Sequence, residues 1–223
     1  ELDEVVGHQG LVDFGAHVFP AMLTGGRHLQ TFRFQGYWQD VGTIRAYFDS
    51  HMEMLEPGGP IDLPSWGVRT NRDENRPGDR PPARFTPTAR VDGSIIATGC
   101  TIAGEVRQSI LSPGVVVEAG AVVERSILMH DVRVGAGARV TEAILDKQVA
   151  LGPGAIVGGI GENVPNLRYP GHLDGGQVLI GKSASVPAGS RIEKNTILFP
   201  SVTLPRGARS HTKAGETIGD IDR

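Results

Sequence analysis

Ser109-Ile110-Leu111-Ser112-Pro113-Gly114-Val115-Val116-Val117-Glu118-Ala119-Gly120-Ala121-Val122-Val123-Glu124-Arg125 is followed without a gap by two segments of the same 17-residue length. One opens on Ser126-Ile127-Leu128 and the next on Ala143-Ile144-Leu145. Landmarks recur at constant offsets: Val115, Val132 and Val149; Gly120, Gly137 and Gly154; Ala121, Ala138 and Ala155; Val123, Val140 and Val157. A block opening on Ser94-Ile95-Ile96 precedes them and is two residues shorter. Within the blocks Ile110, Val116, Val122, Leu128, Val134 and Val140 stand six apart, and the beat resumes at Ile180, Val186, Ile192, Leu198 and Leu204 after an interruption at about 158–176. Six is the period of hexapeptide β-helices. Each turn of such a prism offers short strands with an aliphatic residue inward and a tight corner where glycine accepts positive φ. The expected fold is therefore mainly β, a left-handed parallel β-helix over residues 91–223.

Composition agrees. The 31 glycines in 223 residues are about twice the usual ~7%, and no Gly-X-Y period makes them collagen-like. Of the twelve aromatics only Tyr169 and Phe199 lie beyond residue 90, as expected where a narrow aliphatic column excludes large rings. With one cysteine, Cys100, no internal disulfide framework exists, which points to a reducing, cytoplasmic setting. Lys+Arg 22 against Asp+Glu 25 leaves a net charge of −3. That balance carries no footprint for nucleic acid and no basic membrane patch. No apolar run reaches the roughly 20 residues of a membrane span.

Ahead of the coils the chain reads differently. Leu29 to Phe34 alternates as a short strand would, and Thr43 is placed to cap a helix with Ile44, Tyr47, Phe48, His51 and Leu55 on one face. Asp13 is placed to cap a short helix carrying Phe14, Val18 and Met22, which Pro20 should bend or end. Residues 57–90 form a proline-rich linker, with seven prolines between 57 and 87 around the charged run from Arg69 to Arg80. Because residue 1 is Glu and the first segments already read as the middle of a packed domain, an N-terminal part of a longer protein is expected to be missing.

Gly36-Tyr37-Trp38-Gln39-Asp40-Val41-Gly42-Thr43, Asp13-Phe14-Gly15 and Pro81-Pro82-Ala83-Arg84-Phe85 together resemble the sugar-nucleotide pyrophosphorylases, most closely the ADP-glucose pyrophosphorylase (glucose-1-phosphate adenylyltransferase) family. The resemblance implies that residues 1–56 are the C-terminal part of an α/β nucleotidyltransferase domain. It also implies a homotetramer that uses ATP, glucose 1-phosphate and Mg²⁺ to make ADP-glucose for glycogen synthesis. By the same resemblance Asp40 is the aspartate that meets the metal and the sugar phosphate, Trp38 borders the sugar pocket, and Asp13 and Phe14 line the glucose site. A carboxylate suits Mg²⁺, a hard cation that takes one or two carboxylates beside substrate phosphates.

Two departures qualify the match. Gln39 stands where the family's pattern has arginine, and the Gly-rich triphosphate loop, a second metal aspartate and the Glu-Lys pair for the sugar phosphate are absent. The chain alone is expected to be inactive. A non-catalytic regulatory or scaffold subunit assembled through the β-helix is the alternative. The histidines His130, His172 and His211 stand at unrelated offsets, which argues against a zinc site between coils.

Overall fold

The computed structural model describes residues 13–68, 80–205 and 207–220. It divides into two compact units, Glu1–Trp38 and Gln39–Arg223.

In the larger unit, strands two or three residues long stack in three parallel sheets. One has six strands, from Arg84–Phe85 to Ser185–Val186; the others have seven each, from Arg90–Asp92 to His211–Thr212 and from Ile95–Ile96 to Thr217–Ile218. Every strand pairs with its counterpart one coil away: Arg133 lies between Val116 and Ala150, and Ile144 between Ile127 and Leu179. The fold is a parallel β-helix built of hexapeptide coils.

Its core is the column Leu111, Val117, Val123, Leu128, Val134, Val140, Leu145, Leu151, Val157, lined by Ala121, Ala138 and Ala155. This corrects the six-residue beat in one respect. Ile110, Val116 and Val122 are only partly buried, while their neighbours Leu111, Val117 and Val123 point inward. The cause is geometric. Successive residues of a strand face opposite sides, and a 17-residue coil is one short of three hexapeptides, so the inward position steps back one place at each coil joint.

Corners are of two kinds. Gly120, Gly137 and Gly154 hold φ of 71°, 68° and 66°. Another corner of the same coils uses Gln108, Arg125 and Glu142 at φ of 43°, 42° and 49°, a conformation that is costly for residues with a Cβ. Behind that corner runs a ladder of serine hydroxyls, with Ser109 and Ser126 fully buried. Ser94 Oγ accepts from Ser109 N–H, Ser109 Oγ from Ser126 N–H, and Ser126 Oγ from Ala143 N–H, at 3.0, 3.0 and 3.1 Å. Ala143 can end the ladder because the next amide, that of Val178, donates to Glu142 O instead.

Between Ile156–Val157 and Val178–Ile180 the chain leaves the prism. Two fully buried asparagines stitch this excursion down: Asn166 Nδ2 donates to Asn195 O at 2.9 Å, and Asn195 donates to Val164 O and accepts from Gly176 N–H, both at 2.7 Å. At the other end Arg80 grips Asp131 in a two-pronged pair of 2.7 and 3.0 Å, in space left open by the missing side chain of Gly114.

Among the described residues of the smaller unit, a single π turn, Phe14–Val18, runs into a short helix α1, Phe19–Thr24, with Pro20 in its first turn. Pro20 restarts the helix where a missing N–H costs nothing. No strand forms at Leu29 to Phe34, which overturns that expectation. Alternation supplies two faces but no partner edge, and Phe32 and Phe34 stand 90% and 60% exposed.

Candidate functional site

The segment from Asp40 to α2, the helix Ile44–Glu53, belongs to the larger unit. Asp40 Oδ1 accepts from Gly42 N–H at 3.0 Å, the short-range turn that Asp forms readily. Thr43 then caps α2 in extended conformation, its hydroxyl accepting from Ala46 N–H at 3.1 Å. The helix ends at Glu53, so Leu55 lies beyond it. Phe48 is buried against Ile127 and Ile144 on the outer face of one sheet, ringed by Ile44, Tyr47, Met52, Met129 and Leu179. The turn that presents Asp40 is thereby seated on the β-helix through the helix that follows it.

Burial, and secondarily the Asp146 carboxylate, raise the Tyr47 phenol above its ordinary pKa. The Tyr47 ring packs tilted against His51, ring centres 4.2 Å apart. On the first turn of α2, Arg45 meets Asp174 from the excursion loop at 3.4 Å, a contact with no signal in the sequence.

In the smaller unit Asp13 caps the π turn, Oδ1 accepting from Ala16 N–H at 2.6 Å. Phe14 is half exposed and tilts against Phe19, ring centres 5.7 Å apart. Trp38 is 80% exposed. The four candidate residues thus fall in both units, Asp13, Phe14 and Trp38 in one and Asp40 in the other. Among the described residues no three of His, Cys, Asp and Glu gather as a metal-holding group. Cys100 is buried, donates to Ser112 O at 3.3 Å, and has its thiol pKa raised chiefly by burial.

A family model described as "Nucleotidyl transferase" matches residues 4–57, and one described as "GlmU-like, C-terminal hexapeptide" matches residues 81–164. Glucose-1-phosphate adenylyltransferase of Acetivibrio thermocellus is 38% identical over 92% of this chain and 49% of its own length. The enzyme so named from Thermomicrobium roseum is 40% identical over 94% and 48%, and that from Ruminiclostridium cellulolyticum 42% over 92% and 47%. The resemblance to glucose-1-phosphate adenylyltransferases is borne out. The chain spans about half the length of the curated relatives it matches. The nucleotidyltransferase match takes in all four candidate residues and α2, while the hexapeptide match stops inside the excursion, so the coils from Val178 onward lie outside both family models. No helix among the described residues is long and apolar enough to cross a membrane.

Proposed function

We propose that this chain is part of a sugar-phosphate nucleotidyltransferase that joins ATP and glucose 1-phosphate into ADP-glucose and pyrophosphate, in the cytoplasm and for glycogen synthesis. The observation that carries the reading is the identity of 38–42% to glucose-1-phosphate adenylyltransferases across nine-tenths of the chain. A physical feature supports it. Phe14, Phe19, Leu23, Phe32, Phe34 and Trp38 are all exposed. So many bare large apolar side chains in one short stretch are unusual for a monomer surface, and the rest of a nucleotidyltransferase domain would cover them.

In this reading Asp40 is the chain's contribution to the reacting centre. One carboxylate oxygen is held by Gly42 N–H, and the other carries no hydrogen bond to a described residue. An exposed, half-engaged carboxylate at a fixed turn fits Mg²⁺, whose remaining ligands would be substrate phosphates, water and a carboxylate from elsewhere. The bound ion would neutralise charge that accumulates at phosphorus. Trp38 would offer an apolar wall to the sugar, and Asp13 and Phe14 would line the glucose subsite. Other copies of the chain would complete a homotetramer.

The test is Asp40→Asn in the full-length enzyme. Asparagine keeps the acceptor for Gly42 N–H and removes only the charge, so the turn should survive. ADP-glucose formation should fall by about 100-fold or more, the order seen when a charge-stabilising group is deleted. Unchanged turnover would remove Asp40 from the chemistry.

A further inference from the structure

The excursion between Ile156–Val157 and Val178–Ile180 bonds to coils that come later in the chain. Ile160 O accepts from Lys194 N–H at 3.1 Å, and Leu167 N–H donates to Gly215 O at 2.8 Å. Arg168 meets Asp220 at 2.9 Å, with its guanidinium carbon 5.8 Å from the centre of the Phe199 ring. The excursion is thus a strap over the coils of Val178–Ile180, Ile197–Leu198 and Thr217–Ile218, three successive strands of one sheet.

Two asparagines with no exposure to water hold the strap, one from each side. Asn166, on the strap, donates from Nδ2 to Asn195 O at 2.9 Å and to Thr217 Oγ1 at 3.1 Å, while its Oδ1 accepts from Tyr169 N–H at 2.9 Å. Asn195, on the coil, donates to Asn163 Oδ1 at 2.9 Å and to Val164 O at 2.7 Å, and accepts from Gly176 N–H. Both amides bond across the boundary between strap and coil. Lifting one side alone forfeits these bonds and uncovers Leu173, which is 1% exposed. The last coil of a β-helix, for its part, has a neighbour on one side only, so His211–Thr212 and Thr217–Ile218 at the ends of their sheets lean on the strap as much as it leans on them.

We propose that the strap and the strands from Arg191–Ile192 onward form a latch, which opens and closes as one unit on a standing column of earlier coils and is held shut by the Asn166–Asn195 pair. Opening takes Asp174 away from Arg45 on the first turn of α2, while Phe48 keeps its seat against Ile127 and Ile144. The helix that follows the Asp40 turn then loses one tether and keeps the other.

Native-state amide exchange on the full chain tests the latch. Leu167 and Gly176 report the strap, Ile197 and Gly215 the late coils, and Val116 and Val122 the earlier ones, since each of these amides donates a hydrogen bond in the closed structure. The four late amides should share one opening free energy, below that of Val116 and Val122. Asn166→Ala should speed all four by a common factor of about ten- to hundredfold and leave Val116 and Val122 unchanged. Arg168→Ala, at the exposed margin of the strap, should speed the same four by a smaller common factor, which keeps the test decisive if Asn166→Ala prevents the late coils from folding. Acceleration confined to Leu167 and Gly176 overturns the proposal, because the late coils would then stand without the strap. Acceleration of all six amides also overturns it, because the chain would then open only as a whole, and so does no acceleration in either variant.

Discussion

Ser126 shows how much a single side chain can hold in this fold. Its hydroxyl donates to Glu124 O at 2.7 Å and accepts from Ala143 N–H at 3.1 Å, with no exposure to water. Ser126→Ala leaves the buried Ala143 N–H without its acceptor, while Glu124 O keeps the bond it accepts from Glu142 N–H, and a loss of this kind costs about 1–3 kcal/mol. Urea unfolding should show a destabilisation in that range, and a change below about 0.5 kcal/mol would mean the ladder is ornamental. The 17-residue alignment displays Ser109, Ser126 and Ala143 as equivalent small residues but cannot say that two are hydrogen-bonding rungs. That Ala143 needs no hydroxyl depends on where Val178 returns, beyond the excursion. The αL corners divide the same way. Gly120, Gly137 and Gly154 announce themselves, while Gln108, Arg125 and Glu142 look like ordinary surface residues. Asp40 was legible only through its motif, since an exposed aspartate beside Gly42 would otherwise read as turn chemistry alone.

At the scale of elements, α2 is the link between the Asp40 turn and the coils. Its apolar spacing and Thr43 cap are local signals, and both appear in the structure at Ile44–Glu53. The surface it lies on is not local: Ile127, Ile144 and Leu179 come from three successive strands of one sheet. Phe48 is 1% exposed in that seat. Phe48→Ala should therefore cost about 3–5 kcal/mol of the docking energy, the usual range for emptying a buried aromatic site. Amide exchange localises the effect. Protection should collapse across α2 while amides of Val134 and Val140 keep theirs, because the column of the β-helix does not include Phe48. Equal loss in both places would show that helix and coils unfold as one unit. The failed strand at Leu29 to Phe34 is the contrary case: its pattern is local, but a strand exists only where an edge receives it, and this segment is paired with no strand.

For the molecule as a whole, stability resides in the column, because each coil buries its apolar residue only against the coils above and below. Arg133 and Val134 are adjacent in one strand and face opposite ways, the first exposed and the second fully buried. Val134→Asp puts an unpaired carboxylate among aliphatic side chains, a penalty of several kcal/mol. Arg133→Asp changes two units of charge on the outside and should stay within about 0.5 kcal/mol, as surface substitutions usually do. Cys100 gives the readout. In the native chain the thiol is buried and its pKa raised by that burial, so little thiolate is present at pH 7 and none is accessible. Because the folded thiol holds its proton more tightly than the unfolded one, this contribution to stability is intact at neutral pH. It is lost as pH rises above the unfolded thiol's pKa of about 8.5 and through the folded value. A thiol reagent at pH 7 should therefore label native and Arg133→Asp chains slowly and the Val134→Asp chain at the rate of unfolded protein. Cys100 lies outside the strand that carries Val134, on the near side of Thr101–Ile102, so rapid labelling there reports failure of the column rather than of one strand. If Val134→Asp left Cys100 protected, the coils would be independent units, and the continuous aliphatic column would not be what holds this molecule together.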